Sequence, residues 1–139
     1  MTLDQKQQEI IDEFEIYDDW MDKYEYIIEL GKELPLISDK KKTEDRLIAG
    51  CQSRVWLDME MVEGKMSFSA DSDAIITKGI IGLLIRVMNN EDAKTIATAD
   101  LRFIREIGLQ EHLSPTRANG LASMIQKMKM IARNGILDP

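Results

Sequence analysis

The sequence predicts an α+β fold: a small antiparallel β-sheet with helices packed against one face. Three observations lead there. Apolar residues recur at helical spacing through the first 34 residues. The period shortens to two between Val55 and Ala70, with Glu63-Gly64 at the turning point. Helical spacing then returns at Ile75 and holds nearly to the end. Helices, a hairpin and helices again, with no repeat, low-complexity tract or linker, predict one domain over residues 1–139.

Each element has a local cause. Thr2 and Gln5 stand three apart, as in a capping box, and precede a short helix carrying Ile10, Ile11 and Phe14. Asp18 and Asp19 are candidate caps for a second helix. Its stripe is Trp20, Tyr24, Ile27, Ile28 and Leu34, and Leu34-Pro35 should end it. Ser38 to Arg46 is polar and without period, which reads as an exposed loop. Val55, Leu57, Met59 and Met61 alternate with Trp56, Asp58 and Glu60 as in a strand. Met66, Phe68 and Ala70 alternate on the return, and Ile48-Ala49 could add a further short strand.

Asp71-Ser72-Asp73 supplies candidate caps for a helix with a broad apolar face of Ile75, Ile76, Gly79, Ile80, Leu83, Leu84 and Val87. That helix is the expected core, and Asn89-Asn90 should stop it. A short helix is expected after Asn90. Another, capped by Asp100, carries Leu101, Ile104 and Ile107 and stops at Gly108. Ser114-Pro115 opens the last helix, with Leu121, Met124, Ile125, Met128 and Ile131 inward and Gly135 as its close.

Composition narrows the function classes. Asp and Glu number 25 against 18 Lys and Arg, a net charge of −7. Phosphate binding needs clustered cations, so nucleic acid is not an expected partner. No apolar run approaches the ~20 residues of a membrane span. The N-terminus lacks the basic-then-apolar order of a secretory signal. One cysteine and nine methionines suit a reducing cytoplasm. One thiol closes no internal disulfide, and with one histidine it builds no sulfur-rich metal site. No sulfur-rich metal site is therefore expected on this chain.

That thiol, Cys51, is the leading candidate for chemistry. Gly50, Gln52 and Ser53 around it are small or polar, as at a loop tip ahead of a strand, although free cysteine is also common as a small core hydrophobe. A reactive thiol needs a nearby cation or donated hydrogen bonds. Arg46 and Arg54 are near in sequence, and Arg117 could arrive through the fold. His112 is the available partner for a Cys–His pair, but beside Ser114-Pro115 it also reads as a surface histidine. Asp71 and Asp73 read first as caps, Lys40 to Lys42 as a solvated loop, and the methionines as core filler.

Four segments together resemble the SufE family of sulfur-acceptor proteins. They are Tyr26-Ile27-Ile28-Glu29-Leu30-Gly31-Lys32-Glu33-Leu34-Pro35; Gly50-Cys51-Gln52-Ser53 with Val55-Trp56; Asp71-Ser72-Asp73-Ala74 with Lys78-Gly79; and Leu113-Ser114-Pro115-Thr116-Arg117 with Gly120-Leu121. They stand in the family's order and span nearly the whole chain. The resemblance implies a fold shared with IscU-type scaffolds. It also implies that sulfane sulfur is accepted from a SufS-type cysteine desulfurase, whose pyridoxal phosphate stays on that partner, and is passed to the iron–sulfur scaffold complex. In that role Cys51 carries the sulfur as a persulfide, with Gln52, Ser53, Asp73 and Arg117 supporting it. With one cysteine the chain cannot hold a cluster within itself, although two copies, as a homodimer, could share one. Two further readings stay open: a stand-alone thiol enzyme, such as a peroxidase or Cys–His hydrolase, and a helical adaptor whose cysteine only packs.

Overall fold

The computed structural model describes residues 1–137, with side chains as far as Gly135. The chain opens with α1 (Leu3–Phe14) and α2 (Trp20–Leu30). The hairpin of β1 (Val55–Val62) and β2 (Lys65–Ser72) follows. Then come α3 (Ile75–Met88), α4 (Ala93–Ala97), α5 (Arg102–Glu106), α6 (Leu109–His112) and α7 (Pro115–Leu137).

The first two helices start as their sequences dictate. Thr2 Oγ1 accepts from the Gln5 N–H while the Thr2 N–H donates to Gln5 Oε1, a complete capping box. Asp19, not Asp18, caps α2 by accepting from the Asp22 N–H at 2.9 Å. That helix gives way at Gly31 to a 3₁₀ turn, Gly31–Glu33, before Pro35.

The hairpin follows the alternation. Glu63 and Gly64 both take positive φ (53° and 80°), the geometry of a two-residue turn whose twist matches that of the strands it joins. The register pairs Leu57 with Ala70, Met59 with Phe68 and Met61 with Met66, so the apolar positions share one face. Val55, Leu57, Met66, Phe68 and Ala70 are buried there, whereas Met61 lies in solvent. Ile48-Ala49 does not form a full strand. Leu47 bridges Trp56 and the Ile48 N–H donates to Val55 O, and the pairing ends there. On the opposite edge Leu36 bridges Ala70.

The expected core helix is the core. Ile80, Ile81, Leu83, Leu84, Ile85, Val87 and Met88 of α3 are all buried. Its crossing with α2 is close enough that a Cβ on Gly79 would lie 2.2 Å from the Ile27 carbonyl oxygen, so only glycine fits. Asn89 ends α3, and its Oδ1 accepts from the Phe68 N–H at 2.7 Å, which ties the helix end to β2.

Several expectations need correction. The N-cap of α3 is Ala74 with no side-chain cap; Asp71 and Asp73 bond elsewhere, and Ser72 Oγ accepts from the Ala74 N–H. Asp100 does not cap α5. It pairs with Arg105, while buried Gln7 of α1 accepts the Phe103 N–H and donates to Asp100 O. The segment from Ser38 to Arg46 is exposed as expected, Lys42 and Arg46 being partly covered, but it is not without structure. It makes two 3₁₀ turns held to the outer sheet face: Lys41 and Arg46 pair with Asp58, Lys42 pairs with Asp71, and Lys42 lies 5.5 Å from the Trp56 ring centroid. The short helix α6 has no counterpart in the sequence pattern, and α7 runs through Gly135 instead of closing there.

Candidate functional site

Cys51 sits between the Ile48 pairing and the start of β1. It is half-buried, and Gly50 takes φ +90°, which turns the loop inward onto α7. A Cβ on Gly50 would lie 2.4 Å from Ser123 Oγ, a hydroxyl that can rotate aside, so the positive φ is what calls for glycine here. The Cys51 thiol points at the Gly120 carbonyl oxygen, 3.7 Å from Sγ. A Cβ on Gly120 would reach van der Waals contact with Sγ at 3.6 Å, so the helix backbone itself is the wall.

The loop is held from the other side by Asp73. Its Oδ1 accepts from the Arg54 N–H at 3.1 Å, and its own N–H donates to Arg54 O at 3.3 Å. This reciprocal pair fixes the exit of the cysteine loop to the β2–α3 junction. Asp73 thus serves the loop and not, as its position before a helix suggests, a cap.

A cavity of about 70 Å³ opens beside Sγ. Cys51, Gln52 and Ser53 line it, with Thr77 and Ile80 from α3 and Thr116, Arg117, Gly120 and Met124 from α7. A cavity needs roughly 10–15 Å³ to take one water, so this space admits a small added group. Sequence reasoning misses Thr77, Thr116 and Met124 here. Thr77 carries a signal, as a polar residue at a buried position of an otherwise apolar face. Ser123 carries none, since its role depends on how α7 meets the loop.

The electrostatics are those of a guarded thiol. Burial pushes the Cys51 pKa up, so the resting group is the protonated thiol. Of the three arginines considered, only Arg117 lines the cavity. Its guanidinium lies 5.9 Å from the Tyr24 ring centroid, and its backbone N–H donates to Ser114 Oγ at 3.3 Å. Arg46 is committed to Asp58, and Arg54 is exposed and contributes only backbone. His112 is not brought to the thiol. Its ring stacks on Trp20, centroids 4.6 Å apart, and Nδ1–H donates to Gly108 O at 2.8 Å. Among the described residues no group of three or more His, Cys, Asp and Glu converges as a metal site, and no helix is long and apolar enough to cross a membrane.

Asp71, the other acid of this junction, faces the polar side of the sheet. Burial acts to raise its pKa, but hydrogen bonds from Lys42, the Ser72 N–H and Lys78 outweigh that and hold it below the usual carboxylate range.

Known proteins share both fold and sequence. The backbone matches a solution structure of a hypothetical protein from Thermus thermophilus at a TM-score of 0.78, over 96% of this chain and 97% of that one, with 18% identity. An uncharacterized SufE-like protein of Rhizobium etli is 40% identical over 138 residues, covering 95% of this chain and 90% of its own. One from Rhizobium meliloti is 40% identical over 135 residues, 92% of each. Residues 8–132 match the SufE family, described as an Fe-S metabolism associated domain. The chain belongs to the SufE family.

Proposed function

We propose that this protein, acting as a single domain in the cytoplasm, accepts sulfane sulfur on Cys51 from a SufS-type cysteine desulfurase and hands it to an iron–sulfur scaffold complex. The observation that carries this reading is the placement of the chain's lone thiol. Cys51 sits on a loop turned inward against α7, beside a cavity large enough for one more sulfur atom.

The transfer is a thiol exchange. The Cys51 thiolate attacks the outer sulfur of the donor's persulfide. A new S–S bond forms at Cys51, the donor's S–S bond breaks, and the donor cysteine leaves as thiolate, with no net change in oxidation level. A second cysteine nearby would discharge the carrier; the chain has none. Burial serves the resting state, because a protonated and shielded thiol is a poor target for oxidants. The same burial opposes attack, so docking must turn the loop outward or bring positive charge to the sulfur. In this reading Asp73 sets how firmly the loop is held, and Arg117, which lines the same cavity, supplies the positive charge that favours the anionic sulfur. Gln52 and Ser53 line the same space from the loop itself.

The test uses Cys51→Ser. The variant should bind the desulfurase with unchanged affinity yet give no stimulation of sulfide release in the presence of cysteine and a reductant. Full stimulation by the serine variant would make the thiol mere packing and end this reading.

A further inference from the structure

The outward side of α7 carries an unusual charge. From Pro115 to Leu137 the sequence holds Arg117, Lys127, Lys129 and Arg133 and not one Asp or Glu, in a chain whose net charge is −7. Lys129 is spent on the Ala99 carbonyl. Lys127 and Arg133 make no ion pair among the described residues.

Both line a groove of about 440 Å³ that runs between α7 and the segment Leu47-Ile48-Ala49. Among the described residues no carboxylate lines it, and Met130, 45% exposed, supplies an apolar floor. Its other wall is the isolated bridge at Leu47 and the turn that follows it at Ala49, just ahead of the cysteine loop. Ile48 donates to β1, but neither the N–H nor the C=O of Ala49 finds a partner among the described residues.

The groove begins where the cysteine loop ends. Ser123 both lines it and limits Gly50. Gly120 touches Cys51, and at about 1.5 Å per residue Lys127 lies about 10 Å and Arg133 about 20 Å further along the helix. A protein interface of ordinary size covers about 800 Å² on each partner. A partner that reaches Cys51 therefore has the reach to cover this groove.

We infer that the groove between α7 and Leu47–Ala49 docks an acidic segment of the sulfur-donating protein, with Lys127 and Arg133 reading its carboxylates. The inference rests on the reading of Cys51 as a sulfur acceptor and adds where and by what chemistry the donor is held. Rim charges of this kind act mainly on the association rate and its salt dependence.

The experiment titrates the intact protein, labelled at its N-terminal amine, with the holo desulfurase. Four proteins are compared: the parent, Lys127→Glu/Arg133→Glu, the milder Lys127→Gln/Arg133→Gln, and a control of equal charge change elsewhere, Lys40→Glu/Lys65→Glu. At low salt the groove reversal should weaken binding about ten-fold and the neutral pair about three-fold, with the control within about two-fold. The differences should vanish near 1 M salt, where the screening length is about 3 Å. Equal binding by parent and groove variants, or equal loss in the control, overturns the groove and leaves the sulfur-acceptor reading intact. A parent that does not bind the desulfurase at all overturns both. Sedimentation that shows the parent self-associating through this face, and the reversal abolishing that, would assign the groove to a second copy and overturn the donor.

Discussion

The carboxylate of Asp73 and the backbone of Arg54 are locked together in both directions: Asp73 Oδ1 accepts from the Arg54 N–H, and the Asp73 N–H donates to Arg54 O. Arg54 follows Cys51 closely, with only Gln52 and Ser53 between them. The β2–α3 junction therefore controls the position of the thiol loop although it is remote in sequence.

Removing the acceptor should free the loop. Asp73→Ala loses one exposed hydrogen bond, a cost of about 1 kcal/mol, which corresponds to about a five-fold change in the open population. Alkylation of Cys51 by iodoacetamide in the free protein should speed up by about that factor, and the urea midpoint should fall by about 0.3–1 M. An unchanged alkylation rate would show that Gly50 and α7 alone hold the loop.

The thiol should titrate late. Burial raises the Cys51 pKa, so the folded thiol keeps its proton to higher pH than the unfolded one. Its contribution to stability is present below the unfolded pKa and is lost as pH rises through the folded value. Alkylation rate against pH should accordingly have a higher midpoint in the native protein than in urea. Cys51→Ser should also lose less stability than the parent across the alkaline range. Coincident midpoints would mean that the loop stands open at rest.

Arg117 should affect transfer more than docking. It lines the thiol's cavity and lies over the Tyr24 ring. A charge-assisted contact to an anionic sulfur carries about 1.5–3 kcal/mol, so Arg117→Ala should slow sulfur acceptance about ten-fold or more at saturating desulfurase. Arg117→Lys should recover part of the rate. A variant whose loss lies wholly in affinity would make Arg117 an interface residue.

Gly79 should tolerate no side chain. The Cβ of Gly79→Ala would meet the Ile27 carbonyl oxygen at 2.2 Å, a backbone atom that cannot swing aside. Separating α2 from α3 should cost about 2–3 kcal/mol, read as a lower urea midpoint with the slope unchanged. A variant as stable as the parent would contradict the tight crossing.

What the sequence reveals is local. The hairpin is legible because its alternation, and a Glu-Gly turn able to take two positive φ angles, are written within 18 residues. The capping box of α1 and the apolar face of α3 are legible for the same reason. The arrangement around Cys51 is legible only in part. That the thiol sits at a loop ahead of a strand can be read from its neighbours. The contacts of Asp73, Thr77 and Ser123 cannot, because each acts on residues brought close only by the fold. The same holds for the ion pairs that pin Lys41, Lys42 and Arg46, which nothing in that exposed polar segment announces. Asp100 misleads because Gln7 of α1, 96 positions from Phe103, takes the capping role.

The central claim is that Cys51 receives a sulfur atom from another protein. Intact-mass spectrometry after incubation with a SufS-type desulfurase and cysteine, followed by peptide mapping, tests it directly. The predicted result is a gain of one sulfur atom located at Cys51 and reversed by a reductant. An unchanged mass, with the desulfurase itself carrying persulfide, would contradict it.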